Sequence, residues 1–267
     1  MPKTTDAETV ESVEQYASVW KALVADRPGV DLTNRPGLSV SWADSPFPFW
    51  NAVFLTEQLA DARLLRARLV EAAAYVRGKR QSGLIYVCDE FLSGAAKEGL
   101  PEALVQAGLD FAMPITGMAG NILPLEAPPH PGLRIERVTD ATALEAYADI
   151  NCEGYGFPLE WGRAGLAGST LWTKTAHSYL GYEGDRAVSA ASAVAHGGRL
   201  YLALVATRPD AQRKGYGEAV VRRALQAGHK ATGLTRTVLH ATDAGAPVYG
   251  RVGYRRAASF LTYMPAT

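Results

Sequence analysis

The chain has 267 residues, 48% of them hydrophobic, and its 27 Lys and Arg balance 27 Asp and Glu. That length buries one large core or two small ones, and the zero formal net charge offers no field for nucleic acid or an anionic membrane. No apolar run approaches the roughly 20 residues of a membrane span, and the opening Met1–Glu8 has no apolar leader core, so no membrane partner and a cytoplasmic location are expected.

In chain order, the aromatic run Pro46-Phe47-Pro48-Phe49-Trp50 is a candidate acceptor pocket, with core packing the favoured reading. Asn51–Leu55 reads as a strand, Leu59–Lys79 as a long helix and Gly83–Cys88 as the next strand, on apolar runs bounded by turn residues. A short helix over Leu100–Ala107 and a strand over Phe111–Met118 complete this part. Cys88 and Cys152 are the only cysteines and are expected as two reduced, buried thiols. Five histidines without paired-cysteine spacing give no metal site.

Leu125–Gly132 holds three prolines, too many for a helix or central strand, and is read as a linker. Beyond it Leu133–Val138 alternates like a strand, and Thr139 or Asp140 can cap a helix from Ala141 to Ile150. A less regular helical stretch covers Trp161–Trp172. Strands at Ser178–Tyr182 and Ala187–Ala195 follow, joined by the Glu183–Arg186 turn, and the His196–Arg199 turn leads into a buried strand, Leu200–Ala206.

That strand runs into Gln212-Arg213-Lys214-Gly215-Tyr216-Gly217. Val220, Val221, Ala224, Leu225 and Gly228 then mark one face of a helix. Strand, glycine turn and helix together aim backbone N–H groups and a positive helix end at one spot, which suits a phosphate. The segment lacks the Lys-Ser/Thr ending of a Walker loop, and Val220 stands where a dinucleotide fingerprint needs its third glycine. Thr237–Ala241 reads as a strand, Ala244–Val252 as a short helix ended by Gly253, and Arg256–Met264 as a closing strand.

The Gln/Arg-x-x-Gly-x-Gly pattern after a strand resembles the pyrophosphate loop of the GNAT (Gcn5-related N-acetyltransferase) superfamily. The likeness extends from Val205–Asp210 through the loop and helix to Thr237–Ala241 and to the Tyr-x-x-x-Gly-aromatic block at Tyr249–Tyr254. It implies an α+β fold with a mixed α/β sheet, and acetyl-CoA as acyl donor without a metal.

The first half looks like a worn copy of the same plan, giving two tandem GNAT-like domains: 1–124 degenerate, 125–132 a linker, 133–267 catalytic. Phe54 to Tyr86 spans 86 − 54 = 32 positions, and Val205 to His240 spans 240 − 205 = 35, a shared period that reads as a repeat. Where the second copy has its glycine loop, the first has Thr56–Ala62 with no glycine, and Glu57 and Asp61 would repel a phosphate. One CoA site per chain follows, with the first copy extending the sheet or walling the substrate cleft.

In the second copy the backbone of Gln212, Arg213, Lys214, Gly215, Tyr216 and Gly217 is the expected phosphate cradle. Arg213 and Lys214 either add charge attraction or are solvated surface charges. The resemblance implies that Val205, Ala206 and Thr207 offer amides to pantetheine and to the thioester carbonyl, and that Tyr249 is the general acid beside the departing sulfur. For the base, Glu153, Glu160, His196 and His240 are candidates, none singled out. The leading reading is an acetyl-CoA-dependent N-acetyltransferase that passes an acyl group by direct attack to a small-molecule or peptide amine, as a monomer or homodimer. A non-catalytic CoA-binding or regulatory module is the alternative, and a nucleotide-phosphate enzyme ranks third.

Overall fold

The computed structural model describes residues 6–266; the first five residues of the Met1–Glu8 stretch, read as lacking a leader core, lie outside them. In chain order the elements are α1 (Ala7–Val24), β1 (Asn34–Arg35), β2 (Leu38–Trp42), β3 (Asn51–Leu55), α2 (Ala62–Arg77), β4 (Leu84–Cys88), α3 (Gly94–Glu98), α4 (Leu100–Ala107) and β5 (Leu109–Asn121). They continue with β6 (Arg134–Arg137), α5 (Ala141–Tyr155), α6 (Leu159–Leu166), β7 (His177–Glu183), β8 (Arg186–His196), β9 (Arg199–Thr207), α7 (Tyr216–Thr232), β10 (Arg236–Ala241), α8 (Ala246–Val252) and β11 (Arg255–Pro265). The chain divides into two compact units, one of Met1–Met118, His240–Ala244 and Arg256–Thr267, the other of Ala119–Leu239 and Gly245–Arg255.

In the first unit β2 pairs antiparallel with β3, β3 parallel with β4, and β4 antiparallel with β11 from the end of the chain. Side chains alternate across this sheet as the pleat requires. Val53, Leu55, Ile85 and Val87 join Leu65 and Leu69 of α2 in one core layer. On the opposite parity, Phe54, Tyr86 and Phe260 meet Tyr16 of α1 in a cluster of ring contacts. Phe47 and Trp50 are buried, so the aromatic run is core, and Cys88 is a free, buried thiol. The sequence reading assigned nothing to α1 or β2.

In the second unit β6, β7, β8 and β9 form an antiparallel meander, and β9 pairs parallel with β10 over Leu200–Leu202. Helix α7 packs on β7, β8 and β9, while α5 packs on β8 and β9. The face forecast for α7 is the buried one, and Gly228 packs closely there: a Cβ would lie 3.0 Å from a Leu200 methyl, which would have to shift to admit it. Asp140 caps α5 by accepting the Ala143 N–H. Leu125–Gly132 has no helix or strand. Cys152 is also free and buried. The result is a mixed α+β fold with open sheet and flanking helices. No helix among the described residues is long and apolar enough to cross a membrane.

Candidate active site

Within the second unit, β9 is interrupted just before the glycine turn. Ser192 pairs with Ala203 and Ala190 with Ala206, so Leu204 and Val205 together face Ala191 in a β-bulge. Leu204 carries the distortion at φ 46, a region a branched side chain seldom occupies. Helix α5 supplies the compensation. Tyr147 donates its hydroxyl to the carbonyls of Leu204 (2.8 Å) and Ala203 (3.3 Å), and Tyr155, two turns on, donates to the Val205 carbonyl at 3.2 Å. The spacing of eight residues puts both phenols on one helix face.

Beyond the bulge the chain turns sharply into α7. Arg213 and Gly215 have φ of 62 and 83, and Gly215 is the N-cap of α7 with no side-chain cap. Among the described residues, the backbone N–H groups from Arg213 to Gly217 donate to no protein acceptor. Helix α2 of the first unit contrasts sharply: the Asp61 carboxylate accepts the Arg63 and Leu64 amides at 2.7 and 3.0 Å. One helix start holds its own anion, while the other leaves its donors open to one. A Cβ on Gly217 would sit 3.2 Å from Thr207 Oγ1, so glycine keeps the strand end and helix start close. Open amides at a helix start can hold an anion such as a phosphate.

The side chains of the loop are mostly engaged in holding it. Gln212 Nε2 donates to the Thr207 carbonyl at 3.2 Å. Lys214 Nζ and the Tyr216 hydroxyl both reach Glu183 Oε1, at 2.8 and 2.6 Å, which lowers the Glu183 pKa and raises those of Lys214 and Tyr216. Thr207 Oγ1 lies 2.9 Å from Ser189 Oγ. Arg213 alone among the loop's polar side chains has no hydrogen bond or ion pair among the described residues.

Tyr249, on α8, is buried, with its ring edge-on to Tyr254 at 6.0 Å. Its pKa is pushed well up, first by burial and then by the neighbouring Tyr155 and Tyr254 phenols. Burial also pushes Tyr155 up to about 12. Burial likewise pushes the Tyr147 pKa well up, with the Tyr155 and Tyr249 phenols adding to it. No hydrogen bond engages the Tyr249 hydroxyl among the described residues.

The base candidates separate. Glu153 is bound to Arg208, whose Nε also donates to the Ala187 carbonyl at 2.8 Å, and such a paired carboxylate serves structure. Glu160 is exposed in the first turn of α6. His196 ends β8, its pKa lowered by burial. His240 belongs to the first unit, stacked on Tyr16 at 3.5 Å with its Nε2 3.0 Å from Ser12 Oγ. No group of three or more His, Cys, Asp or Glu among the described residues is placed to hold a metal ion.

Tyr147, Tyr155, Glu183 and His130 were not singled out from sequence. Tyr147 lies in the helix forecast over Ala141–Ile150, whereas Tyr155 falls beyond its forecast end, on the last turn of the observed helix. His130 sits in the proline-rich segment, where no periodicity marks it.

Residues 166–260 match the family model of the acetyltransferase (GNAT) domain. No curated protein matches the chain in sequence. Among solved structures, a GCN5-related N-acetyltransferase from Kribbella flavida is 18% identical, with 99% of this chain and 97% of that one covered at a TM-score of 0.69. One from Sphaerobacter thermophilus is 12% identical, covering 98% and 96% at 0.62. A GCN5-related N-acetyltransferase-like protein from Streptococcus suis is 16% identical, covering 97% and 98% at 0.54. Residues 166–260 are thus similar to the acetyltransferase (GNAT) domain, within a fold that GCN5-related N-acetyltransferases share over almost the whole length of the chain.

Proposed function

We propose that this protein is an acetyl-CoA-dependent N-acetyltransferase that transfers an acyl group to a primary amine of a small molecule or peptide. The observation that carries the reading is the open start of α7, where consecutive amides have no acceptor, set against the self-capped start of α2. The CoA pyrophosphate would rest on the backbone of Arg213 to Gly217, with Gln212 bracing the turn through Thr207.

Bound there, acetyl-CoA supplies an activated acyl group as a thioester. Amides of Val205, Ala206 and Thr207 orient it and draw charge onto its carbonyl oxygen. Tyr249 holds the proton for the departing sulfur, and its raised pKa keeps that proton in place through neutral pH. Direct attack by the amine needs no protein nucleophile, and both cysteines are buried with raised pKa values.

We also read 1–124 as a degenerate copy joined through 125–132 to the catalytic copy at 133–267. Support comes from the repeated strand–helix–parallel strand order of β3–α2–β4 and β9–α7–β10. These are bounds of sequence copies, distinct from the compact units, to which β11 contributes on the first side. A cytoplasmic monomer or homodimer completes the reading.

Thermal-shift titration with acetyl-CoA and longer acyl-CoAs, followed by mass spectrometry of an amine panel, tests it. A ligand that binds only the folded chain raises its melting temperature. A shift together with an acylated amine supports the enzyme. A shift with no product from any amine favours a CoA-binding module, and no shift removes both.

A further inference from the structure

The proline-rich segment does more than connect. His130 Nε2 lies 3.0 Å from the carbonyl oxygen of Lys214, in the middle of the anion loop. Its other ring nitrogen, Nδ1, accepts the Gly132 N–H at 3.2 Å. This pair of contacts assigns the roles: Nδ1 is the acceptor, so Nε2 carries the hydrogen and donates to Lys214. The ring is further fixed against Tyr216, edge to face at 5.1 Å, and Tyr216 is tied in turn to Glu183.

Pinning that carbonyl has a consequence one atom further along the chain. In a trans peptide the C=O of one residue and the N–H of the next point in opposite directions. With the Lys214 carbonyl turned to His130, the Gly215 N–H is committed to the other side of the loop. Gly215 accommodates this with φ 83, and a Cβ there would lie 3.3 Å from His130 Nε2.

We propose that His130 is a positioning residue for the anion loop, holding the Lys214–Gly215 peptide so that the Gly215 N–H faces a bound pyrophosphate. The inference rests on the CoA-binding reading above. It predicts that pyrophosphate recognition, and no other part of the ligand, depends on the His130 donor.

The test uses calorimetry of the full chain with CoA, and ligand-observed NMR with pantetheine, which lacks the pyrophosphate. His130→Ala should weaken CoA binding about 10-fold, the scale of one charge-assisted hydrogen bond lost, with pantetheine affinity unchanged. His130→Phe keeps a ring against Tyr216 but no donor, and should show the same loss. His130→Gln restores an N–H at similar reach and should recover most of the affinity. Wild-type affinity in both H130A and H130F overturns the inference, as does an equal loss for CoA and pantetheine or no recovery in H130Q. A wild-type chain with no CoA affinity overturns the underlying reading first, and this inference with it.

Discussion

Lys214 and Glu183 form an ion pair at 2.8 Å, on the same carboxylate oxygen that accepts the Tyr216 hydroxyl. The charge at the centre of the glycine loop is thereby already compensated, and its neighbour Arg213 is the basic side chain left for a ligand. The two adjacent cations, equivalent by sequence, are expected to differ in effect.

Arg213→Gln should weaken CoA binding about 10-fold, as for loss of a charge-assisted contact to phosphate, while Lys214→Gln costs less than about 3-fold because an exposed pair contributes little. Calorimetry at two ionic strengths checks this: the R213Q variant should also lose part of the salt dependence. A larger loss in K214Q would reverse the assignment.

Tyr249→Phe removes a hydroxyl that makes no hydrogen bond to the protein among the described residues, so the melting temperature should stay close to wild type. Turnover should fall at least 100-fold, the lower range for a general acid, with CoA affinity unchanged. Because the Tyr249 pKa is raised, the wild-type rate should show no alkaline decline from this group below pH 10. Unchanged turnover in Y249F would remove its role.

Tyr147→Phe should destabilise the fold by about 1–3 kcal/mol, since carbonyls at Ala203 and Leu204 lose a buried donor. Urea denaturation measures this directly. Stability equal to wild type would mean the bulge holds without α5.

His240 packs against Tyr16 and Phe260, and burial pushes its pKa well below the ordinary histidine value. The sign follows from linkage: the unfolded chain takes up a proton near pH 6.5 that the folded chain refuses, so stability is intact above that value and declines as pH falls below it. His177 and His196 are lowered in the same direction. Melting temperature should drop between pH 7 and 5, and His240→Asn should flatten much of that slope. An unchanged slope in H240N would place the acid sensitivity elsewhere.

Much of the fold was legible because its signals are local. The apolar face of α7 and the turn residues around β7, β8 and β9 declare themselves within a few residues of each other. Helix α1 was not read, although Val13, Tyr16, Trp20 and Leu23 repeat at helical spacing. Strand β2, Leu-Ser-Val-Ser-Trp, alternates cleanly but is short and stands beside the more conspicuous aromatic run. Helix α2 begins at Ala62 rather than Leu59 because Asp61 caps it, a boundary set by one side chain.

The site divides along the same line. The glycine loop and Tyr249 were visible as motifs, and two of the four base candidates changed meaning only through distant partners, Glu153 through Arg208 and His240 through Tyr16. The Tyr147 and Tyr155 bonds to β9 and the His130 bond to Lys214 span 50 residues or more. No local pattern encodes such pairings.

The central claim is that the chain holds one acyl-CoA on the open start of α7 and none on the Asp61-capped start of α2. Isothermal titration calorimetry of the full chain with acetyl-CoA tests it most directly. One saturable equivalent per chain, abolished by Gly217→Glu and retained in Asp61→Ala, is the expected result; no saturable heat, or binding that survives G217E, would contradict the account.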